Sequence, residues 1–103
     1  MTQRSAFVLH VRPDKIDEYV AEHAAVWPEL LDALRAAGIR NYSIFRSGND
    51  VFGYFECDDL AAAGRYMDGQ EVNHRWQDHM AGLLEERVPD AGPPALAEIF
   101  RLD

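Results

Sequence analysis

A histidine occupies a position where a helix face should be apolar. In Asp14-Lys-Ile-Asp-Glu-Tyr-Val-Ala-Glu-His-Ala, residues Ile16, Tyr19, Val20 and His23 fall at the i, i+3, i+4, i+7 spacing of a core-facing stripe. The spacing turns an imidazole inward one turn after an inward phenol. An ordinary imidazole titrates near ~6.5, so such a group can give or take a proton around neutrality. By itself it reads as a core histidine satisfied by one hydrogen bond. With Glu22 alongside, Trp27 a few residues on, Tyr42 on a neighbouring strand and Trp76 on a later helix, it becomes part of a constellation. Acid–base chemistry on a neutral polar substrate needs a proton shuttle, donors that orient hydroxyls and a flat apolar wall, which His, Tyr and Trp supply in turn. Aromatic faces suit the C–H face of a sugar, and phenols and Asn or Gln amides match its hydroxyls. Trp27 and Tyr66 read more simply as core packing.

Other chemistries find less support. His74 and His79 lie five apart rather than i, i+4, and there is no His-Glu-x-x-His motif, so no metal ligand set is expected. Asp78, four after His74, reads as a surface pair on an exposed helix face, and Glu85-Glu86 as a solvated helix end. Cys57 ends a strand without an activating neighbour and reads as a small buried thiol. No Gly-rich phosphate loop follows a strand, so no nucleotide cofactor is expected.

The 103 residues suffice for one domain, 1–103, with a modest core, and 48% hydrophobic and 11% aromatic content argue against disorder. A net charge of −8, with Lys15 the only lysine and scattered arginines, disfavours nucleic acid and other polyanions but leaves a neutral small ligand open. No apolar run approaches the ~20 residues of a membrane span, and Met-Thr-Gln-Arg-Ser lacks a signal-peptide core, so no membrane partner is expected. With Cys57 alone, no intrachain disulfide can form and the cytoplasm is the expected compartment.

Several elements must position these residues. Ala6 to Arg12 reads as a strand with apolar groups on both faces, stopped by Pro13-Asp14, and Asp14 as the N-cap of a helix running toward Ala25. Trp27-Pro28 breaks that helix, Pro28 restarts it, and Gly38 ends it. Ile39 to Arg46, the turn Ser47-Gly-Asn-Asp50 and Val51 to Cys57 form a hairpin. Asp58 or Asp59 caps a short helix, and Glu71 to Arg87 forms another, weakened by Gly82. After the loop Pro89-Asp-Ala-Gly-Pro-Pro94, Ala97 to Leu102 reads as a last strand. The order βαββαβ is the split βαβ pattern of an α+β, ferredoxin-like fold with an antiparallel four-stranded sheet. Helices cover one face of such a sheet, yet Tyr42 and Ile44 alternate with Ser43 and Phe45, and Phe52 and Tyr54 with Val51, Gly53 and Phe55, so both faces carry apolar or aromatic groups. A second copy is the economical cover, giving an isologous homodimer.

Ala6-Phe-Val, Pro13-Asp14, Glu18-Tyr19, His23, Val26-Trp-Pro-Glu-Leu30, Gly38, Asn41-Tyr-Ser-Ile44, Arg75-Trp76, Met80 and Glu98-Ile-Phe-Arg-Leu102 together resemble the L-rhamnose mutarotase family over nearly the whole chain. The resemblance implies a dimeric α/β barrel of ferredoxin-like domains and cofactor-free interconversion of the α and β anomers of L-rhamnopyranose or a related 6-deoxy sugar such as L-fucose. It makes His23 the catalytic proton donor and places Tyr19, Tyr42, Trp76 and Gln77 at the sugar. The family commonly carries a second aromatic where Gln77 stands, a departure that bears on the choice of sugar more than on the reaction. Ring opening needs a proton delivered to the ring oxygen and one removed from the anomeric hydroxyl; Tyr19, a water held by it, or His23 itself can serve as base. Two rival readings are a small cofactor-free or haem-dependent monooxygenase of the dimeric ferredoxin-like class and a non-catalytic sugar-binding dimer.

Overall fold

The computed structural model describes residues 1–103. Strands β1 (Gln3–His10), β2 (Arg40–Ser47) and β3 (Asp50–Cys57) form an antiparallel sheet in the order β1-β3-β2. Two helices, α1 (Ile16–His23) and α2 (Pro28–Ala36), join β1 to β2, and α3 (Leu60–Asp68) and α4 (Glu71–Ala81) follow β3. No helix is long and apolar enough to cross a membrane.

The strand period separates the two sheet faces. Phe7, Leu9, Val51 and Cys57 are buried beneath the helices, where Phe7, Leu9 and Val51 join Tyr19, Leu30, Trp76 and Met80 in one apolar cluster. Phe7 lies across Gly53, its partner in the register: a Cβ at position 53 would fall 2.1 Å from the ring. Only glycine leaves room there for Phe7 to stand edge-on to Tyr42, with ring centroids 6.3 Å apart. A bulge between Arg40 and Ser43, with Asn41 at φ 52°, keeps Tyr42 and Ile44 on the core side while turning the Arg40 charge outward to Asp58, 2.9 Å away.

The turns follow the chain's own chemistry. Gly48 (φ 61°) begins the hairpin turn, Gly38 (φ 85°) ends α2 behind Pro28 at its start, and Asp59 caps α3 by accepting from the Ala62 amide at 3.0 Å. Asp14 does not cap α1. Pro13–Lys15 forms a 3-10 turn first, and the cap position falls on Lys15, whose side chain makes no capping bond. Val20 is 45% exposed because α1 packs through Tyr19 and His23, and Tyr66 is 39% exposed because α3 packs through Ala63 and Met67. The last long helix stops at Ala81 rather than Arg87. Gly82 ends it, and a turn over 82–83 leads to a single bridge between Leu84 and Val11, burying Leu83 and Leu84 beside the end of β1.

The expected fourth strand is not formed, so the sheet is three-stranded rather than four-stranded. The Leu96 amide donates to the Ala6 carbonyl at 2.7 Å and Arg4 pairs with Glu98, so the C-terminal segment meets the free edge of β1 through one backbone bond and one ion pair. Beyond it Ile99, Phe100 and Leu102 are 95%, 78% and 85% exposed. One backbone bond makes no ladder, and nothing within a single chain covers those side chains.

Candidate active site

α1 sets the first wall of the site. Residues 19 and 23 are one turn apart, so the Tyr19 and His23 rings stack with centroids 4.3 Å apart and planes tilted by 31°. His23 Nδ1 lies 2.9 Å from the Tyr19 carbonyl oxygen. A carbonyl only accepts, so Nδ1 carries the proton and Nε2 holds the lone pair of the neutral ring. Burial lowers the His23 pKa; the Tyr19 carbonyl bond and the nearby Glu22 carboxylate oppose the shift. Burial also pushes the Tyr19 phenol up to about 12. At neutral pH this phenol stays protonated and acts as a donor, which leaves it poorly suited as a base. Its hydroxyl makes no hydrogen bond to the protein.

β2 contributes Tyr42. Its ring packs 5.4 Å from Phe55, and its phenol is raised by burial and then by the neighbouring Tyr19. The residue as a whole is 39% exposed, while its phenol is desolvated.

α4 sets the opposite wall. Trp76, 6% exposed, stands edge-on to His23 at 5.7 Å and to Trp27 at 5.1 Å. One residue on, the Gln77 amide donates to Asn73 Oδ1 at 3.1 Å. Beside the site the two walls are tied by His79 Nε2 and Glu22 Oε2, 3.0 Å apart.

Between the walls lies a cleft of about 380 Å³ lined by His23, Tyr42, Asn73, Trp76 and Gln77 together with Val26, Leu30, Leu31, Leu34 and Ile44. A smaller recess of about 70 Å³ is lined by Tyr19, His23, Tyr42, Trp76 and Gln77, so the five residues singled out in the sequence converge. The larger volume is that of a small-ligand site, and its lining pairs apolar walls with a few polar groups. Asn73, 3% exposed, is the lining residue that the sequence reading missed. Its signal was available: an amide three residues before Trp76 and four before Gln77 shares their helix face. His74 does not pair with Asp78. Its Nε2 turns to the Asp68 carbonyl, 2.5 Å away, with the Asp90 carboxylate at 3.6 Å, and Asp78 pairs instead with Arg87 at 2.7 Å.

The model of the L-rhamnose mutarotase family matches residues 4–102. The chain belongs to the L-rhamnose mutarotase family. An L-rhamnose mutarotase of Bacillus subtilis is 38% identical over 98% of this chain and 99% of its own. One from Oceanobacillus iheyensis is 34% identical over 98% and 99%, and one from Burkholderia cenocepacia is 42% identical over 95% and 96%. The crystal structure of the L-rhamnose mutarotase FA22100 from Formosa agariphila superposes with a TM-score of 0.77 at 29% identity, covering 98% of this chain and 99% of that one. Membership in the mutarotase family selects an isomerase over the monooxygenase and the sugar-binding module.

Proposed function

We propose that this chain is an L-rhamnose mutarotase that interconverts the α and β anomers of L-rhamnopyranose, with His23 exchanging the protons. The observation that carries this reading is His23 itself, anchored through Nδ1 and lining a sugar-sized cleft. In the neutral ring, Nε2 takes the proton of the anomeric hydroxyl. The C1–O1 bond gains double-bond character as the C1–O5 electron pair passes to the ring oxygen, and the imidazolium delivers its proton there. Rotation about C1–C2 in the open-chain aldehyde presents the other carbonyl face, and the reverse steps close the ring. The lowered pKa keeps His23 neutral as base and makes its imidazolium the stronger acid. Tyr19 and Tyr42, both held protonated, donate to sugar oxygens, Trp76 offers a flat wall, and Gln77 an amide. No cofactor enters the scheme. Exchange NMR on the anomeric protons of L-rhamnose tests it: α/β exchange above the buffer rate is expected, and exchange at the buffer rate contradicts it.

The same reading extends to assembly. Phe45 and Phe52 lie on the outer face of the sheet, 65% and 41% exposed, and the C-terminal segment leaves Ile99 and Phe100 uncovered next to the free edge of β1. A homodimer closed across this face, with residues 97–102 as a fourth strand, buries all of them and yields a dimeric α/β barrel. Light scattering on the eluting protein is expected to give twice the chain mass; a monomer at micromolar concentration contradicts this. The cytoplasm is the proposed compartment, in keeping with a single buried thiol, Cys57.

A further inference from the structure

We infer that Asn73 is a positioning residue that fixes the polarity of Gln77, so that the Gln77 carbonyl oxygen faces the cleft as an acceptor for one sugar hydroxyl. This rests on the mutarotase reading above. Asn73 Nδ2 lies 3.2 Å from the Met67 carbonyl and 2.8 Å from the Asp90 carbonyl. Both carbonyls can only accept, so the nitrogen must be the atom that faces them and Oδ1 the one that faces Gln77. Oδ1 in turn can only accept, so it selects the NH₂ end of Gln77, 3.1 Å away. Gln77 Oε1 is left with no protein partner, on a side chain that lines the cleft. Each amide in the relay is oriented by the one before it, starting from two backbone carbonyls that cannot change role. Reversing Asn73, which is 3% exposed, would set oxygen against oxygen twice where water cannot intervene.

The relay reaches beyond α4. The Asp90 carbonyl belongs to the loop after Val88, so the loop helps orient a residue that it need not touch. An acceptor at this point discriminates among sugars. A hydroxyl donates to it, whereas a deoxygenated carbon leaves a desolvated oxygen unpaired and a carboxylate repels it.

Exchange NMR on wild type, Gln77→Leu, Asn73→Leu and the double variant, with L-rhamnose and its 2-, 3- and 4-deoxy analogues, tests the inference. Wild type is expected to show a KM about tenfold higher for one analogue than for L-rhamnose, as for one lost hydrogen bond. Gln77→Leu and Asn73→Leu should each erase that preference, raise KM for L-rhamnose by a similar factor with a smaller effect on kcat, and combine without further loss. Equal loss for all sugars, or additive effects in the double variant, overturns it. A readout independent of activity is the Gln77 side-chain NH₂ signal in ¹⁵N-labelled protein. Slow solvent exchange in wild type and fast exchange in Asn73→Ala, which removes the acceptor, are expected; fast exchange in wild type overturns the relay even if Asn73→Leu does not fold. If wild type accelerates no anomer exchange, the mutarotase reading fails. The relay is then judged on this signal and on whether adding L-rhamnose shifts it, with no shift overturning the acceptor role.

Discussion

On the α1 side of the cleft, the Tyr19 hydroxyl has no protein partner and His23 is held by a single bond to the Tyr19 carbonyl. On the α4 side, Asn73 is bonded through both amide atoms, Gln77 is tied to it, and Trp76 is wedged against Trp27. Under the proposed mechanism the difference follows from what each wall must do. A group that gains and loses a proton cannot be saturated with partners, since each partner favours one protonation state. A group that holds a ligand works better the less it moves. Desolvation acts on the groups proposed to handle protons and sugar oxygens, lowering His23 and raising both phenols.

The contrast is broken most severely at Trp76. Trp76→Ala removes the largest buried group of the α4 wall and should lower unfolding stability by about 3–5 kcal/mol, read by denaturant titration. A loss below ~1 kcal/mol would mean that this wall is not the packed one. Tyr19→Phe probes the other wall with little structural consequence. Because the hydroxyl bonds nothing in the protein, stability should stay within ~1 kcal/mol while kcat/KM falls about tenfold, the effect of one hydrogen bond to the sugar. Unchanged kinetics would remove Tyr19 from the site.

Titration sharpens the comparison with the smallest effect. His23 should show a midpoint below 6.5, whereas His10, exposed and bonded to Glu86 at 3.1 Å, should titrate above 6.5. His23 favours the folded state while neutral, so its contribution is present above 6.5 and lost as pH falls through its lowered pKa. The His10 contribution has the opposite sign: present below 6.5, and lost as pH rises through its raised value. Histidine Cε1 proton shifts against pH report both, and a common midpoint would contradict the separation. The rate should follow His23, holding to lower pH than an ordinary imidazole allows.

Much of this site was legible in the sequence because helix periodicity is local. The i, i+4 spacing alone brings Tyr19 against His23, and Gly38, Asp59 and the Ser47–Asp50 turn set element ends through their own backbone chemistry. Asn73 is hidden in the sequence because a buried amide looks like any polar helix residue until its partners are known. Two of those partners are backbone carbonyls, one of them seventeen residues away, which no side-chain pattern records. The bulge at Asn41 was hidden for a similar reason: an extra residue in one strand is visible only against its partner's register. The Ala97–Leu102 segment has a strand's alternation without a strand's pairing in one chain, because an edge needs a neighbour and sequence periodicity does not supply one.

The most direct test of the account is exchange spectroscopy on the anomeric protons of L-rhamnose with wild type and His23→Ala at equal concentration and neutral pH. Accelerated exchange that falls by about 10²–10⁴-fold in the variant, with the fold retained, is the predicted result. Wild-type acceleration that survives in His23→Ala would contradict proton transfer through His23 and move the chemistry elsewhere in the cleft.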